Sequence, residues 1–274
     1  MSQSVESRLG CSTITFRQLP LFHALERIRS AALTKVDIAC IPGWCEHVNP
    51  LQISAQEREE LVRRINALGL RISTLNVAPR QLNSDRQTDA FEYMAAAIDL
   101  AAEFGCYAIT IPPGGKVPED QWQENAELTA RLIRELADHA EEKGVTLTLE
   151  SPHVGTLAES VSDGARYFRV LDEKRVLCTF DCSHAQRGNP NPVTRSVVEV
   201  GAPIGHVHLR DCIGENNSLT PGRGHVDFAG LLSMLDQLGY RGDLILELEG
   251  EEETVEETEA ELRFARHHIL GLLK

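Results

Sequence analysis

Four short apolar runs in the second half of the chain each finish on an acid or a histidine, and this recurrence constrains the fold more than any other feature. Residues 145–151 read Val-Thr-Leu-Thr-Leu-Glu-Ser, and residues 176–184 read Val-Leu-Cys-Thr-Phe-Asp-Cys-Ser-His. Residues 204–211 read Ile-Gly-His-Val-His-Leu-Arg-Asp, and residues 243–249 read Asp-Leu-Ile-Leu-Glu-Leu-Glu. A strand alternates faces with a period of two, so His206 and His208 share a face. The residues that close the four runs, Glu150, Asp181, His208 and Glu247, stand 31, 27 and 39 residues apart. A strand with its returning helix takes about 30 residues. Successive units that each end a strand on a polar group are what a (β/α)8 TIM barrel produces, because its chemistry gathers at the C-terminal ends of the strands.

The rest of the chain fits that frame. Its 274 residues are close to the roughly 250 of such a barrel, which favours one domain over residues 1–274. Strands are expected at residues 9–16, 35–41, 70–76 and 107–111. Helical periodicity covers 19–32, 54–68, 85–104 and 118–143, then 162–171, 191–200, 227–238 and 254–272. Ser54 with Glu57 three residues on is a capping box, and Gly69, Gly105 and Gly144 stop their helices. Pro42-Gly43-Trp44 breaks the second strand and leaves Trp44, Glu46 and His47 on a loop at the C-terminal side.

Composition removes several functional classes. A net charge of −14 argues against nucleic acid, which is bound through clustered Lys and Arg. No apolar run approaches the ~18 residues of a membrane span. Residues 1–8 are polar and lack the apolar core of a signal peptide, so a cytoplasmic protein is expected. The seven cysteines are odd in number and include no Cys-x-x-Cys pair, which supports reduced, partly buried thiols. The acid-rich run 249–261 is either a cation site or the solvated face of the last helix; a helix N-terminus favours carboxylates, so the second is expected.

Two glutamates, an aspartate and a histidine form a hard oxygen and nitrogen donor set. That set suits Mn²⁺, Mg²⁺, Co²⁺ or Zn²⁺, and without thiolates it does not suggest a closed structural zinc site. Each residue alone also has a structural reading: an Asp at a strand end caps the next helix, and a His bonds a loop carbonyl. Four such endings on consecutive strands point more strongly to a shared centre.

At this point the motifs become specific. Glu150-Ser-Pro-His, Asp181-Cys-Ser-His184, His206-Val-His208-Leu-Arg-Asp211, Pro221-Gly-Arg-Gly224 with Val226-Asp-Phe, Gly239-Tyr-Arg-Gly242 and the strand ending at Glu247 resemble the xylose-isomerase-like superfamily of TIM barrels. That group holds ketose 3-epimerases, hydroxypyruvate isomerases, inosose dehydratases and isomerases, and the endonuclease IV type of apurinic nuclease. The resemblance spans essentially the whole chain. It implies that Glu150, Asp181, His208 and Glu247 bind one divalent metal, Mn²⁺ before Mg²⁺, Co²⁺ or Zn²⁺, with His184 close by as a substrate or supporting contact. It also implies that Glu150 and Glu247 lie on opposite faces of the substrate carbon and pass a proton while the metal stabilises an enediolate.

Two departures limit what carries over. The nuclease branch has a further Asp-x-His after the histidine strand for a third metal, where this chain reads Glu215-Asn-Asn-Ser-Leu-Thr-Pro. The ketose 3-epimerases have an arginine six residues beyond the metal histidine, where this chain has Gly214. Arg210, Arg223 or His225 are candidates to replace it at the substrate, although Arg223 reads equally as a turn residue. His153 is an additional acid–base candidate, and Trp44 either lines the pocket or packs in its loop. The leading expectation is an isomerase or epimerase of a small sugar or keto-polyol. The alternative is a lyase on the same scaffold, acting on a keto-sugar, inosose or 3-keto-glycoside. A non-catalytic sugar-binding or partner subunit is disfavoured by the intact ligand set, and a homo-oligomer is left open.

Overall fold

A computed structural model describes residues 5–79, 82–250 and 252–272. Eight parallel strands close on themselves: β1 Leu9–Ser12, β2 Lys35–Ile41, β3 Arg71–Val77, β4 Ala108–Ile111, β5 Thr146–Glu150, β6 Val176–Asp181, β7 Ile204–Leu209 and β8 Leu244–Leu246. Each pairs with the next in sequence, and β1 pairs with both β2 and β8. Outside them run α1 Leu21–Ser30, α2 Ala55–Ala67, α3 Gln87–Phe104, α4 Glu119–Lys143, α5 Val161–Leu171, α6 Val193–Glu199, α7 Phe228–Gln237 and α8 Val255–Gly271. The fold is therefore the expected (β/α)8 barrel.

Local chemistry explains the boundaries. In α4 the buried residues Trp122, Ala126, Thr129, Ile133, Leu136 and Ala140 recur at helical spacing and seat one face on the strands. The capping box forms as expected, with Ser54 Oγ accepting from Glu57 N and Glu57 Oε2 accepting from Ser54 N at 2.8 Å. Gly105 and Gly144 end their helices in the left-handed region, at φ of +67° and +70°, where a Cβ is disfavoured.

The first strand is shorter than residues 9–16. Ser12 takes a hydrogen bond from Ile14 N and starts a 3₁₀ turn, Thr13–Phe16. The β-branched Thr13 and Thr15 read as strand, but their hydroxyls accept from Ala39 N and Leu248 N at 3.0 and 3.1 Å. Side chains there replace the backbone ladder at the barrel rim. Several short elements had no sequence signal, among them a helical turn, Cys182–Gln186, and an antiparallel ribbon of Asp211–Ile213 with Asn216–Leu219.

The barrel interior is unusually polar. Thr110, Thr148 and Thr179 bond one another at 2.7–3.1 Å. Near the strand starts Asp243 gathers Lys35, Arg71 and Ser73. Pairing of this kind offsets the cost of burying hydroxyls and charges. Gly205 makes room for the crowding, since a Cβ there would sit 2.7 Å from Leu177 Cβ and 2.9 Å from Thr148 Cγ2. All seven cysteines are free and buried. Among the described residues no helix is long and apolar enough to cross a membrane.

Candidate metal centre

Glu150 closes β5, Asp181 closes β6, His208 lies one residue from the end of β7, and Glu247 follows β8 directly. The parallel register sets Asp181 opposite His208. One ligand atom from each of the four residues lies within 4.8 Å of the others, and all four residues are buried. His208 Nδ1 stands 3.1 Å from Glu150 Oε1 and 3.5 Å from Glu247 Oε2. Glu247 Oε1 accepts from Asn76 Nδ2 at 3.2 Å, which leaves Oε2 for the centre.

Asp181 takes the capping role that a strand-end aspartate can play. Its Oδ1 caps the short helical turn by accepting from Ser183 N and Oγ at 2.7 Å and from His184 N at 3.2 Å. Its Oδ2 faces Arg210 Nη2 at 2.6 Å. Arg210 is buried and also meets Ser183 Oγ, His184 Nε2 and Glu249. Glu249 thus turns inward, unlike the solvated acids expected along 249–261; Glu256 does face outward beside Arg27, whereas Glu259 is largely covered and bonds Arg27, Ser30 and Arg263.

Charge explains why this cluster suits a cation. Burial pushes the Glu247 carboxyl up to about 8, against the pull of His208 and Arg210. Burial also opposes ionisation of Glu150, yet His153 and His208 hold it down at about 2. For Asp181 the burial penalty is overcome by Arg210, which keeps it below the usual carboxylate range. Burial holds a proton on Glu247, and a cation bound among the four residues would take the place of that proton. The hard oxygen and nitrogen donors, with Nδ1 and three carboxylate oxygens converging, fit a divalent metal ion.

The remaining candidates divide by position. His153 Nε2 is 3.6 Å from Glu150 Oε2, and its ring lies 4.5 Å from that of His184. Burial pushes His184 down to about 3. Arg210 Nη2 lies 2.8 Å from His184 Nε2, and the Val154 N–H donates to His184 Nδ1 at 3.4 Å. Asn217 Nδ2 stands 3.0 Å from the same Nδ1. Trp44 is 48% exposed, with the Arg17 guanidinium 5.8 Å from its ring centroid. Arg223 is held outside the ligand cluster, 2.8 Å from Glu261 and stacked over Phe264 on α8, and His225 is exposed. Among these residues only Arg210, His184 and His153 touch the four ligands or each other at the centre.

Sequence reasoning missed Asp37, Asn76, Asn217 and Glu249. Asp37 had a signal, an acid inside the apolar strand Lys-Val-Asp-Ile-Ala-Cys-Ile. It also missed the work of Asp211, whose carboxylate accepts from the backbone N–H groups of Cys212, Gly222, Gly224 and Val226 at 2.8–2.9 Å. That clamp ties the ribbon to the Pro-Gly-Arg-Gly loop.

Fold and centre together define a (β/α)8 barrel with a buried carboxylate and imidazole site at the C-terminal rim. The chain belongs to the xylose isomerase-like TIM barrel family, whose pattern matches residues 25–268. An uncharacterized protein of Methanocaldococcus jannaschii is 25% identical over 254 residues, 89% of this chain and 84% of that one. L-ribulose 3-epimerase of Methylomonas sp. is 28% identical over 135 residues, 48% of this chain and 46% of the epimerase. Inosose dehydratase of Klebsiella pneumoniae is 28% identical over 151 residues, 48% of each. The chain thus spans about half the length of these two enzymes. Among solved structures, D-psicose 3-epimerase from Clostridium cellulolyticum superposes with a TM-score of 0.79 at 16% identity, over 97% of this chain and 99% of that one. The zinc-bound IolI protein gives 0.75 at 17%, over 96% and 98%.

Proposed function

We propose that this chain is a divalent-metal-dependent isomerase or epimerase that moves a proton on a small sugar or keto-polyol through an enediolate. The observation that carries the reading is the convergence of Glu150, Asp181, His208 and Glu247 within 4.8 Å at the rim of the barrel. A divalent ion, Mn²⁺ first by the family resemblance, would polarise a substrate carbonyl and acidify the carbon beside it.

The residues supply the rest of the chemistry. Glu150 and Glu247 come from β5 and β8, with β6 and β7 between them, so a substrate carbon placed over the centre meets one carboxylate from each side. One takes the proton and the other returns it. Glu150 Oε2 faces His153 Nε2, which gives the abstracted proton an onward acceptor. Burial of the four residues excludes water, which strengthens each charge–dipole contact. A cavity of about 510 Å³ bordered by His184, Val154, Arg187 and Asn189 adjoins the centre through His184 and is lined by none of the four ligands. The reading takes the chain as one domain.

A second reading, a lyase acting on an inosose or 3-keto-glycoside, rests on His153. Elimination needs one base and one acid aimed at a leaving group, and the Glu150–His153 pair is such a set. Incubation of the metal-loaded protein in D₂O with ketoses and 3-keto-sugars separates the two. Deuterium in an intact epimer supports the isomerase; stoichiometric release of water or an alcohol supports the lyase; turnover of no substrate on the panel speaks against both.

A further inference from the structure

Beneath the four ligands, on the side away from the rim, lies a second buried cluster of Asp37, His206, Thr74 and Tyr107. Asp37, His206 and Thr74 are 0% exposed. Asp37 Oδ2 accepts from Thr74 Oγ1 at 2.8 Å and stands 3.4 Å from His208 Nε2 and 3.5 Å from His206 Nε2. Its Oδ1 has no hydrogen-bond partner. His206 Nδ1 meets the Tyr107 hydroxyl at 2.6 Å.

One assignment of protons satisfies the contacts around Asp37. A carboxylate only accepts, so both imidazoles present an Nε2–H to Asp37. His206 Nδ1 is then a lone pair, and the Tyr107 hydroxyl donates to it. With a divalent ion bound, His208 Nδ1 would likewise be a lone pair, aimed between Glu150 and Glu247. The order Tyr107 to His206 to Asp37, with His208 joining from the rim, leaves no donor facing a donor.

We infer that Asp37 is the positioning residue of the metal centre: it holds His208 in the tautomer and orientation that point Nδ1 at the metal, with Tyr107 and His206 fixing Asp37 from below. The inference rests on the four-ligand reading. A carboxylate behind a ligating histidine raises the basicity of the ring, and removal of such a partner weakens metal binding by about 10–100-fold. His206 is thereby assigned to the support of Asp37 rather than to the metal, although both histidines share one face of β7.

Asp37→Asn is the sharp test, because the amide can keep its oxygen at the Oδ2 position and place its nitrogen where Oδ1 has no partner. Metal affinity is measured by chelator competition with Zn²⁺ and Mn²⁺ on the full chain, beside His208→Ala and wild type. The expected result is wild-type binding lost in His208→Ala and weakened about 10–100-fold in Asp37→Asn. Affinity in folded Asp37→Asn within twofold of wild type overturns the inference and leaves the four-ligand reading standing. A wild type that binds neither ion overturns both. Nitrogen-15 NMR of the Zn²⁺-loaded wild type needs no variant: a slowly exchanging Nε2 proton on His208 supports the assignment, and metal on Nε2 refutes it.

Discussion

Asp211→Asn should destabilise the rim of the barrel. In the structure one carboxylate oxygen takes the N–H groups of Cys212 and Val226, and the other takes those of Gly222 and Gly224. The side chain is 1% exposed, so water cannot replace a lost acceptor. Asparagine keeps one oxygen and turns an NH₂ towards the other two donors. Hydrogen bonds to a charged group contribute about 1.5–3 kcal/mol each, so losing two costs roughly 3–6 kcal/mol. That is a large share of the roughly 5–15 kcal/mol that holds a protein folded. Repacking of the loop is restricted, since a Cβ at Gly224 would already sit 2.3 Å from Asp211 Oδ1. Urea unfolding reads the global part as a lower midpoint at unchanged slope. Hydrogen exchange at Gly222, Gly224 and Val226 reads any local opening of the loop. A loss under about 1 kcal/mol with unchanged protection of those amides would refute the clamp.

Purified protein should carry about one divalent ion per chain by elemental analysis, lost in Asp181→Ala and in His208→Ala, since ligand removal exceeds the ~10–100-fold effect of a supporting residue. Full occupancy in both variants removes these residues from the metal. Glu150→Gln and Glu247→Gln should keep measurable metal and substrate affinity, because an amide oxygen still coordinates, while the rate falls by at least the ~10²–10⁴-fold of general acid–base catalysis. Either variant within a few-fold of wild type at saturating metal would shift the proton-carrier role to His153 and favour elimination.

The barrel was legible because two periods are written along the chain, two within a strand and about 30 between units. Those periods fixed which residues close β5 to β8, and so brought Glu150, Asp181, His208 and Glu247 to one rim. They could not find groups whose role depends on height inside the barrel. Period two says that Asp37 faces inward or outward; it says nothing of the level at which it meets β7. That level is set by the register of the closed sheet, and the contact between Asp37 and His208 spans 171 residues. Glu249 was misread for the same reason, because the pull of Arg210 on it exists only once β7 and β8 are adjacent. The ribbon and its Asp211 clamp fall between strands, where no period operates. Its residues 216–219 read as polar loop, and only the fold gives Asp211 four N–H donors to bind. The supporting shell of such a centre is therefore a property of the closed barrel, and a chain with the same four ligands but a different level at β2 would hold its histidine less firmly.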